Sequence, residues 1–362
     1  MSSYPVAHIN LAALQHNFER VKQLAPNSKI MSAIKADAYG HGALQVAQAL
    51  HDSDAFAVAR LSEGLLLRVA GIQQAIVILE GVSSVADLQT AAENDLSIVF
   101  HHPSQLKLIT TAQLSKPLSF CWLMVETGMH RLGLSTDRID DALKVLSSSP
   151  NIIGEIGLMS HFANSDLVGD PRNQQQLDTL IECADLYSLK TSMANSAAIF
   201  SFAASHGDWV RPGLMLYGAT PFTDKTAQDL GLKPVMQLTS ELIGIQPLQV
   251  GDKVGYGGSW TAKKTGRIGI VSIGYGDGYS RHLSNVGLVL INNQRVPVIG
   301  RVSMDMMAID LSNLSEASVG DAVIMWGSEL LTVDDMAHKA NTISYELLCQ
   351  LNERVKREYH HG

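Results

Sequence analysis

The sequence predicts an α/β protein in which an eight-stranded (β/α)8 TIM-like barrel is followed by a C-terminal, mostly antiparallel β domain. Two observations lead to this fold. Between about residue 30 and residue 217, short apolar runs alternate with longer segments of helical period. After about residue 230, glycines become frequent and helical periods disappear until the last 30 residues.

Eight apolar runs make up the first region. They are KIMSAIK (29–35), DAFAVAR (54–60), AIVILE (75–80), LSIVFH (96–101), LSFCWLMVE (118–126), IIGEIGLMS (152–160), SLKTSM (188–193) and WVRPGLMLYG (209–218). Helical periods lie between them at 61–70, 85–93, 137–148 and 173–187. Continuously hydrophobic strands are typical of a parallel sheet covered by helices, and eight repeats favour closure into a barrel. A doubly wound open sheet is the alternative.

The change near residue 230 from alternating apolar and helical segments to glycine-rich segments predicts two domains. Residues 1–230 form the barrel, and residues 231–362 form the β domain, which contains glycine-rich segments such as GDKVGYGGSW and SIGYGDGYS. A length of 362 residues fits two domains of ordinary size.

Composition excludes several classes of protein. The chain has 46% hydrophobic and 17% charged residues, so it can bury a large core. Lysine and arginine number 27 against 35 aspartates and glutamates, and basic runs are lacking, so we expect neither a nucleic acid nor a membrane as partner. No apolar run approaches the roughly 20 residues that a transmembrane helix needs.

The N-terminus and the cysteines indicate a cytoplasmic protein. The first residues, MSSYPVAHINLAAL, lack the basic and apolar regions of a secretory signal. The three cysteines are widely spaced, unlike a disulfide framework or a cysteine-based zinc site. We therefore expect a reducing compartment and no metal.

Lys35 is the first candidate for chemistry. It ends the first apolar run and is followed by Tyr39 and two glycines in KADAYGHG. A lysine at the end of an apolar strand is partly desolvated, which lowers the pKa of its amine and favours a Schiff base with a carbonyl cofactor. In a barrel, loops at the carboxyl ends of the strands carry the site. A solvated strand-end lysine is the alternative.

Three further loops carry unusual polar residues. Asn195 and Ser196 open an apparent helix after the seventh run, where backbone N–H groups bind anions, although Ser196 alone would more often be a helix cap. Arg211 lies inside the last apolar run and must find partners, because an unpaired buried guanidinium is costly. His161, at the end of the sixth run, is a candidate partner, although a lone buried histidine more often only packs.

Other candidates are weak when taken singly. Arg131 in TGMHRLG offers a fork of donors that suits a carboxylate, although it could be a surface residue. Tyr256 lies among glycines in GYGG, and Met304 precedes Asp305 in SMDMM. An aromatic residue in a glycine loop usually serves packing.

The set of motifs resembles the bacterial alanine racemases. KADAYGHG, ETGMHRLG, MSHFA, NSAA, VRPGLMLYG, GYGG, GYGDGY, VSMDMM and ISYE occur in the order and spacing of that family, over nearly the whole chain. The resemblance implies pyridoxal 5′-phosphate as cofactor and a head-to-tail homodimer with shared active sites.

The resemblance also implies roles on the cofactor side. Lys35 would hold pyridoxal phosphate as an internal aldimine, and Arg211 would face the pyridine nitrogen. The phosphate would be bound by Tyr39, Ser196, Gly213, Leu214 and Tyr345.

The partner subunit would complete the site. Tyr256 would act as the second base, opposite Lys35, with His161 and Arg211 assisting it. Met304 would offer its backbone N–H to the substrate carboxylate, and Arg131 would help from the cofactor side. Tyr275, in GYGDGY, would line the substrate entrance.

One position departs from the family pattern. Many family members carry a lysine, which can be carbamylated, seven residues before the arginine of the TGM-x-R motif. The corresponding residue is Met124, which cannot form a carbamate. Arg131 must then be oriented by another group, such as a neighbouring carboxylate or a bound anion.

The expected reaction is the interconversion of L-alanine and D-alanine by two bases, either to supply D-alanine for peptidoglycan or to degrade it. A broad-specificity amino-acid racemase of the same fold is one alternative. A non-catalytic pyridoxal phosphate carrier is another, but it would have no use for Tyr256, Met304 or a second domain.

Overall fold

The computed structural model describes residues 5–361 and contains a closed parallel barrel of eight strands and a separate eight-stranded sheet. The chain begins with strand β1 (Val6–Asn10), which belongs to the second sheet, and helix α1 (Leu11–Leu24) follows it. The barrel strands come next: β2 (Lys29–Ala33), β3 (Ala55–Val58), β4 (Ala75–Ile78), β5 (Leu96–Phe100), β6 (Leu118–Met124), β7 (Ile152–Met159), β8 (Thr191–Ser192) and β9 (Trp209–Val210).

The eight barrel strands pair in chain order, all parallel, and β9 returns to β2 to close the ring. Each of the eight predicted apolar runs contains one of these strands, so the predicted (β/α)8 barrel is confirmed and the open sheet is wrong. The interior is filled by large side chains, among which Trp122 and Trp209 meet edge to face at 6.1 Å. The barrel is therefore a packed core, open only at its ends.

Helices cover the outside of the barrel and connect the strands. They are α3 (Ala43–Ala49), α4 (Leu61–Val69), α5 (Val85–Glu93), α6 (Pro103–Thr111), α7 (Ile139–Ser148), α8 (Pro171–Tyr187) and α9 (Ser196–Ser201), while α2 (Lys35–Gly40) is a short left-handed segment that follows β2. The four predicted helical segments correspond to α4, α5, α7 and α8. Their buried residues recur at helical spacing, such as Leu177, Leu180 and Ala184 in α8, because one stripe of each helix packs on the strands.

The second sheet has eight strands and is mostly antiparallel, as predicted. Besides β1 it contains β10 (Met236–Leu248), β13 (Gly266–Val271), β14 (Leu288–Ile291), β15 (Gln294–Ile299), β16 (Met307–Asp310), β17 (Ala322–Trp326) and β18 (Lys356–His360), while β11 (Lys253–Val254) and β12 (Trp260–Thr261) form a separate pair. Helices α10 (Val333–Lys339) and α11 (Ser344–Cys349) precede β18.

Strand β10 organises this sheet. It spans 13 residues and pairs with β1, β17 and β13 along its length. Strand β18 lies beside β1 at the edge of the sheet, in the only parallel pairing that the described residues of this sheet contain. The first and last strands of the described chain thus lie side by side.

The two parts contact each other at the top of the barrel. Helix α11 packs on α2, where a Cβ at Gly40 would come within 2.3 Å of the Leu348 carbonyl oxygen. The Arg357 guanidinium also donates to the Gly40 carbonyl across 3.2 Å. Within the part of the chain that the structure describes, none of the helices is long and apolar enough to span a bilayer.

Candidate active site

A cavity of about 520 Å³ opens at the carboxyl end of the barrel strands. Ten of the predicted site residues line it: Lys35, Tyr39, Arg131, His161, Asn195, Ser196, Arg211, Gly213, Leu214 and Tyr345. Nine of them follow the carboxyl ends of β2, β6, β7, β8 and β9, which is where parallel strands bring distant loops together. Only Tyr345 comes from another part of the chain, helix α11.

The turn that carries Lys35 and Tyr39 is left-handed. Ala36, Asp37, Ala38 and Tyr39 have φ between 52° and 54°, a region that costs a residue with a side chain about 1–2 kcal/mol. Two carboxylates hold the turn: Glu63 accepts from the Ala36 N–H at 2.7 Å, and Asp37 accepts from the Ala43 N–H at 2.7 Å. This strained turn directs both Lys35 and Tyr39 into the cavity.

Lys35 lies in an environment that disfavours its protonated form. Burial lowers the pKa of its amine, and the positive charges of Arg131 and Arg211 lower it further. Glu63 and Glu80 oppose this effect but do not outweigh it. A larger fraction of the amine is therefore neutral near pH 7 than in an exposed lysine, which makes it a nucleophile and a base.

Arg211 is buried, and both terminal nitrogens of its guanidinium donate hydrogen bonds within the barrel. Its guanidinium donates to Ser192 Oγ at 2.7 Å, to the Ser160 carbonyl at 2.5 Å and to Nδ1 of His161 at 3.2 Å. Burial lowers the pKa of Arg211 to about 10, so it stays charged at neutral pH. Burial and the charge of Arg211 hold the pKa of His161 well below its usual value. The pair therefore carries one positive charge, on the arginine.

A ring of hydroxyl and amide groups lies beside this pair. Ser196 Oγ accepts from the backbone N–H groups of Gly213 and Met215, at 3.0 and 3.2 Å, and its own hydrogen is used in neither bond. The Tyr39 hydroxyl lies so close to Gly213 that a Cβ there would come within 2.6 Å of it. The Tyr39 ring stacks on Tyr217 at 4.7 Å. These groups form a wall of donors that suits a multiply charged anion.

Helix α11 closes this side of the cavity. Tyr345 lies with its ring centroid 5.8 Å from that of Tyr39, and burial raises its pKa to about 12. It therefore remains a neutral hydrogen-bond donor. Cys349, one turn further along α11, also lines the cavity.

Arg131 and Met124 also line the cavity. Among residues 5–361, no carboxylate forms an ion pair with Arg131, so of the two orienting groups that we considered, a neighbouring carboxylate and a bound anion, the first is not supported. Met124 packs with Met159 and Trp122 in the barrel interior. The guanidinium of Arg131 is free to bind an anionic group.

Three predicted site residues lie outside this cavity. Tyr256, Met304 and Tyr275 belong to the second domain and are 71%, 53% and 44% exposed, respectively. They do not line the cavity that Lys35 faces. The single chain thus brings together the cofactor-side residues but not the three that were assigned to the partner subunit.

Sequence reasoning missed several lining or supporting residues. Glu80 and Glu126 line the cavity, and Glu63 pins the left-handed turn. The signal for Glu80 and Glu126 was available, because each ends an apolar strand run on the side where the site lies. Cys349 and Glu63 had no such signal, because they lie within helices.

Two families of known domains match this chain over most of its length. The alanine racemase N-terminal domain matches residues 9–221, and the alanine racemase C-terminal domain matches residues 235–359. The chain belongs to the alanine racemase family. The predicted family is thereby confirmed, and the match places both the barrel and the second sheet within it.

Individual members of the family are similar along their whole length. The alanine racemase of Nitrosococcus oceani is 46% identical over 355 residues, covering 98% of this chain and 99% of the relative. That of Aeromonas hydrophila is 43% identical over 354 residues, with 98% and 99% covered.

Solved structures agree with the sequence comparison. The biosynthetic alanine racemase from Pseudomonas aeruginosa superposes with a TM-score of 0.95 at 42% identity, covering 99% of this chain and 100% of the other. The alanine racemase from Acinetobacter baumannii gives a TM-score of 0.92 at 43% identity, with the same shares covered. The fold of this chain is that of the family.

Proposed function

We propose that this chain is an alanine racemase, an isomerase that interconverts L-alanine and D-alanine with pyridoxal 5′-phosphate in an active site shared between two subunits. The observation that carries the proposal is the position of Lys35. Its amine, with a lowered pKa, lies in one cavity with the Arg211 and His161 pair and a wall of anion donors. Family membership over nearly the whole chain supports the same activity.

The cavity suits a phosphorylated aldehyde. Lys35 offers an amine for the aldehyde carbon, and the three cations Lys35, Arg131 and Arg211 line a site that contains only two carboxylates, Glu80 and Glu126. The phosphate would be held by the hydroxyl and N–H groups contributed by Tyr39, Asn195, Ser196, Gly213, Leu214 and Tyr345. Arg211 would face the pyridine nitrogen.

Bound pyridoxal phosphate supplies an electron sink for the pair of electrons left when an amino acid loses its Cα proton. The protein must then move protons on both faces of Cα. Lys35 would be the base on one face, because its amine lies in the cavity that would hold cofactor and substrate, and burial and two arginines lower its pKa.

The second base on the other face is Tyr256 of the partner subunit. To act as a base near neutral pH, a phenol oxygen needs a hydrogen-bond donor that stabilises its anionic form. His161 is suited to provide it. Because arginine only donates, Nδ1 of His161 must accept from Arg211, which leaves the hydrogen on Nε2 available for the phenol oxygen.

The exposed residues of the second domain support a homodimer. The N–H groups of Tyr275 and Gly276 donate to the carbonyls of Ser303 and Met304, at 3.0 and 2.8 Å, so these two loops lie side by side. The loop of Tyr256 adjoins them, because Gly255 packs against the Arg301 backbone. One continuous surface therefore presents Tyr256, Tyr275 and Met304 to a neighbouring subunit.

The substrate carboxylate would bind between the two chains. Arg131 has a free guanidinium at the cavity wall, and the Met304 backbone N–H would approach from the partner. Tyr275 would narrow the entrance and favour a small side chain such as that of alanine. This arrangement does not favour a broad-specificity racemase, and a cofactor carrier would need none of the three second-domain residues.

The cellular role follows from the product. We place the enzyme in the cytoplasm, where the three cysteines, all free in the described chain, would stay reduced. There it would supply D-alanine for peptidoglycan or degrade it. We also retain the proposed domain limits of 1–230 and 231–362, with the qualification that β1 pairs in the second sheet.

The decisive experiment is incubation of the pure protein with L-alanine in deuterated water. We expect D-alanine that carries deuterium at Cα. Tyr256→Phe should slow proton removal from L-alanine more than from D-alanine, because the two bases act on opposite faces. Release of carbon dioxide, formation of pyruvate or the absence of D-alanine would contradict the proposal.

A further inference from the structure

Three potential metal ligands lie together on the second sheet, away from the active-site cavity. His8 is on β1, and Glu358 and His360 are on the neighbouring strand β18. In the parallel register His8 lies opposite Glu358, and His360 follows two residues later on the same face. None of the three lines the cavity around Lys35.

The distances between the ligand atoms suit a first-row transition metal. His8 Nδ1 lies 3.2 Å from His360 Nε2 and 3.7 Å from the Glu358 carboxylate. Two ligands about 2.0–2.1 Å from one ion are roughly 2.9 Å apart at a right angle and roughly 3.4 Å apart at a tetrahedral angle. The nitrogen pair is already in this range, and all three ligand atoms lie within 4.8 Å of one another, so small rotations of the side chains would bring them around one ion.

The tautomer of His8 is set by a neighbour on the third strand, β10. Thr239 Oγ1 is 3.1 Å from His8 Nε2, and its hydroxyl donates to the Val6 carbonyl at 3.4 Å. Because that hydrogen is used, Thr239 must accept from His8 Nε2–H. Nδ1 of His8 therefore presents a lone pair toward His360 and Glu358. Metal-bound histidines are typically oriented in this way by a second hydrogen bond.

The solvent exposure and the charge of these three side chains suit a metal ion that exchanges with solvent. Strand β18 forms the edge of the sheet, His360 is exposed, and His8 and Glu358 are half-buried. Lys356 donates to one oxygen of Glu358 at 2.6 Å, which leaves the other oxygen toward His8. Two imidazoles and one carboxylate form a borderline donor set that favours Zn²⁺, Ni²⁺, Co²⁺ or Cu²⁺ over Mg²⁺ or Ca²⁺.

We propose that His8, Glu358 and His360 form a binding site for one divalent transition-metal ion of the Zn²⁺ class, with water completing the coordination. The ion would join the first and last strands of the second sheet. Since it would bind the folded chain and not the unfolded one, it would stabilise the pairing of β1 with β18. This role is separate from racemisation and does not depend on the proposed function.

The test uses the whole protein with its cofactor, without a polyhistidine tag and after treatment with a chelator. Titration with Zn²⁺ in a calorimeter and with Co²⁺ by visible absorption should give one site per chain with nitrogen ligation. His360→Gln and His8→Gln should each weaken binding at least about tenfold, and Thr239→Val should weaken it about tenfold through the lost orientation of His8.

Matched variants separate this site from other histidines. His361→Gln makes the same change one residue further along and should leave the affinity unchanged. Lys356→Met removes a competing positive charge and should tighten binding. Saturating Zn²⁺ should raise the melting temperature of the parent protein by about 2 °C and that of His360→Gln by much less.

Two results would overturn the proposal. The first is Zn²⁺ binding of equal strength in the parent, His8→Gln and His360→Gln proteins, which would place the ion elsewhere. The second is no binding below millimolar concentration, which would leave the His8 and His360 contact as an ordinary hydrogen bond. Since His360 is exposed at a sheet edge, His360→Gln should fold even if His8→Gln does not.

Discussion

The guanidinium of Arg211 donates to Nδ1 of His161 across 3.2 Å, at the bottom of the cavity that Lys35 faces. This contact sets the direction of the histidine, since an arginine has no acceptor and Nδ1 must be unprotonated. It also keeps the histidine neutral, because a second positive charge beside Arg211 is disfavoured in a buried site. His161 is thus a fixed hydrogen-bond donor through Nε2.

The first prediction concerns this tautomer. Nitrogen NMR of selectively labelled protein should show His161 neutral, with its hydrogen on Nε2, from pH 5.5 to pH 9, because burial and Arg211 lower its pKa well below 6.5. Titration of His161 near pH 6.5, or a hydrogen on Nδ1, would contradict the assignment.

The second prediction concerns the phosphate wall. Gly213→Ala should weaken retention of pyridoxal phosphate by at least about tenfold, because the new methyl group would overlap the Tyr39 hydroxyl. Equilibrium dialysis of the cofactor measures the effect. Gly244→Ala, which meets only ordinary contacts at 3.9 Å, is the control. A Gly213→Ala protein that retains the cofactor as tightly as the parent would contradict this account of the phosphate site.

The third prediction concerns the pH dependence of stability. The protonated form of Lys35 is less stable in the folded protein than in the unfolded chain, because burial, Arg131 and Arg211 lower its pKa. This penalty is complete below the folded-state pKa and disappears as the pH rises from there toward the unfolded value of about 10.4. Lys35→Met should therefore raise the melting temperature of the cofactor-free protein at pH 7 by on the order of 2 °C.

The advantage of Lys35→Met should shrink as the pH is raised toward 10. Lys107→Met, on the exposed side of α6, removes a solvated lysine and should show little change at either pH. A Lys35→Met protein that is less stable than the parent at pH 7, or an advantage that grows with pH, would contradict the electrostatic account of this site.

The fourth prediction concerns Met124 and Arg131. Met124→Lys introduces the lysine that many family members carry, and its carbamate would place a negative charge beside Arg131. In bicarbonate buffer we expect the KM for alanine to fall about two- to fivefold, the range of a single partly exposed ion pair, with little change in kcat. Met124→Leu should show no response to bicarbonate. A KM for Met124→Lys that is independent of bicarbonate would show that Arg131 is not oriented in this way.

The barrel could be predicted because its strands are buried on both faces and therefore appear as continuous apolar runs. Strand β1 could not be predicted in the same way. His8 and Asn10 interrupt its hydrophobic pattern, and its partners at 236–239 are more than 220 residues away in sequence. The 13-residue strand β10 was also missed, because only its first half is consistently buried. Pairing over such distances leaves no local signal.

The site was predictable where a polar residue ends an apolar run, as for Lys35, His161 and Arg211. The left-handed turn at 36–39 could not be predicted, because none of its four residues is glycine. Its conformation is held by hydrogen bonds to the carboxylates of Glu63 and Asp37. The contribution of Cys349 depends on the packing of α11 against α2, which only the three-dimensional structure reveals.

The central claim is that one active site takes Lys35 from one subunit and Tyr256 from the other. Mixing of subunits tests it most directly. Lys35→Ala and Tyr256→Phe proteins should each be nearly inactive for racemisation. After dissociation, mixing in equal amounts and reassociation, half of the dimers should be mixed, and each should contain one intact site, so we expect recovery of about 25% of the parent activity. No recovery in a mixture shown to contain mixed dimers, or full activity in a monomer, would contradict the claim.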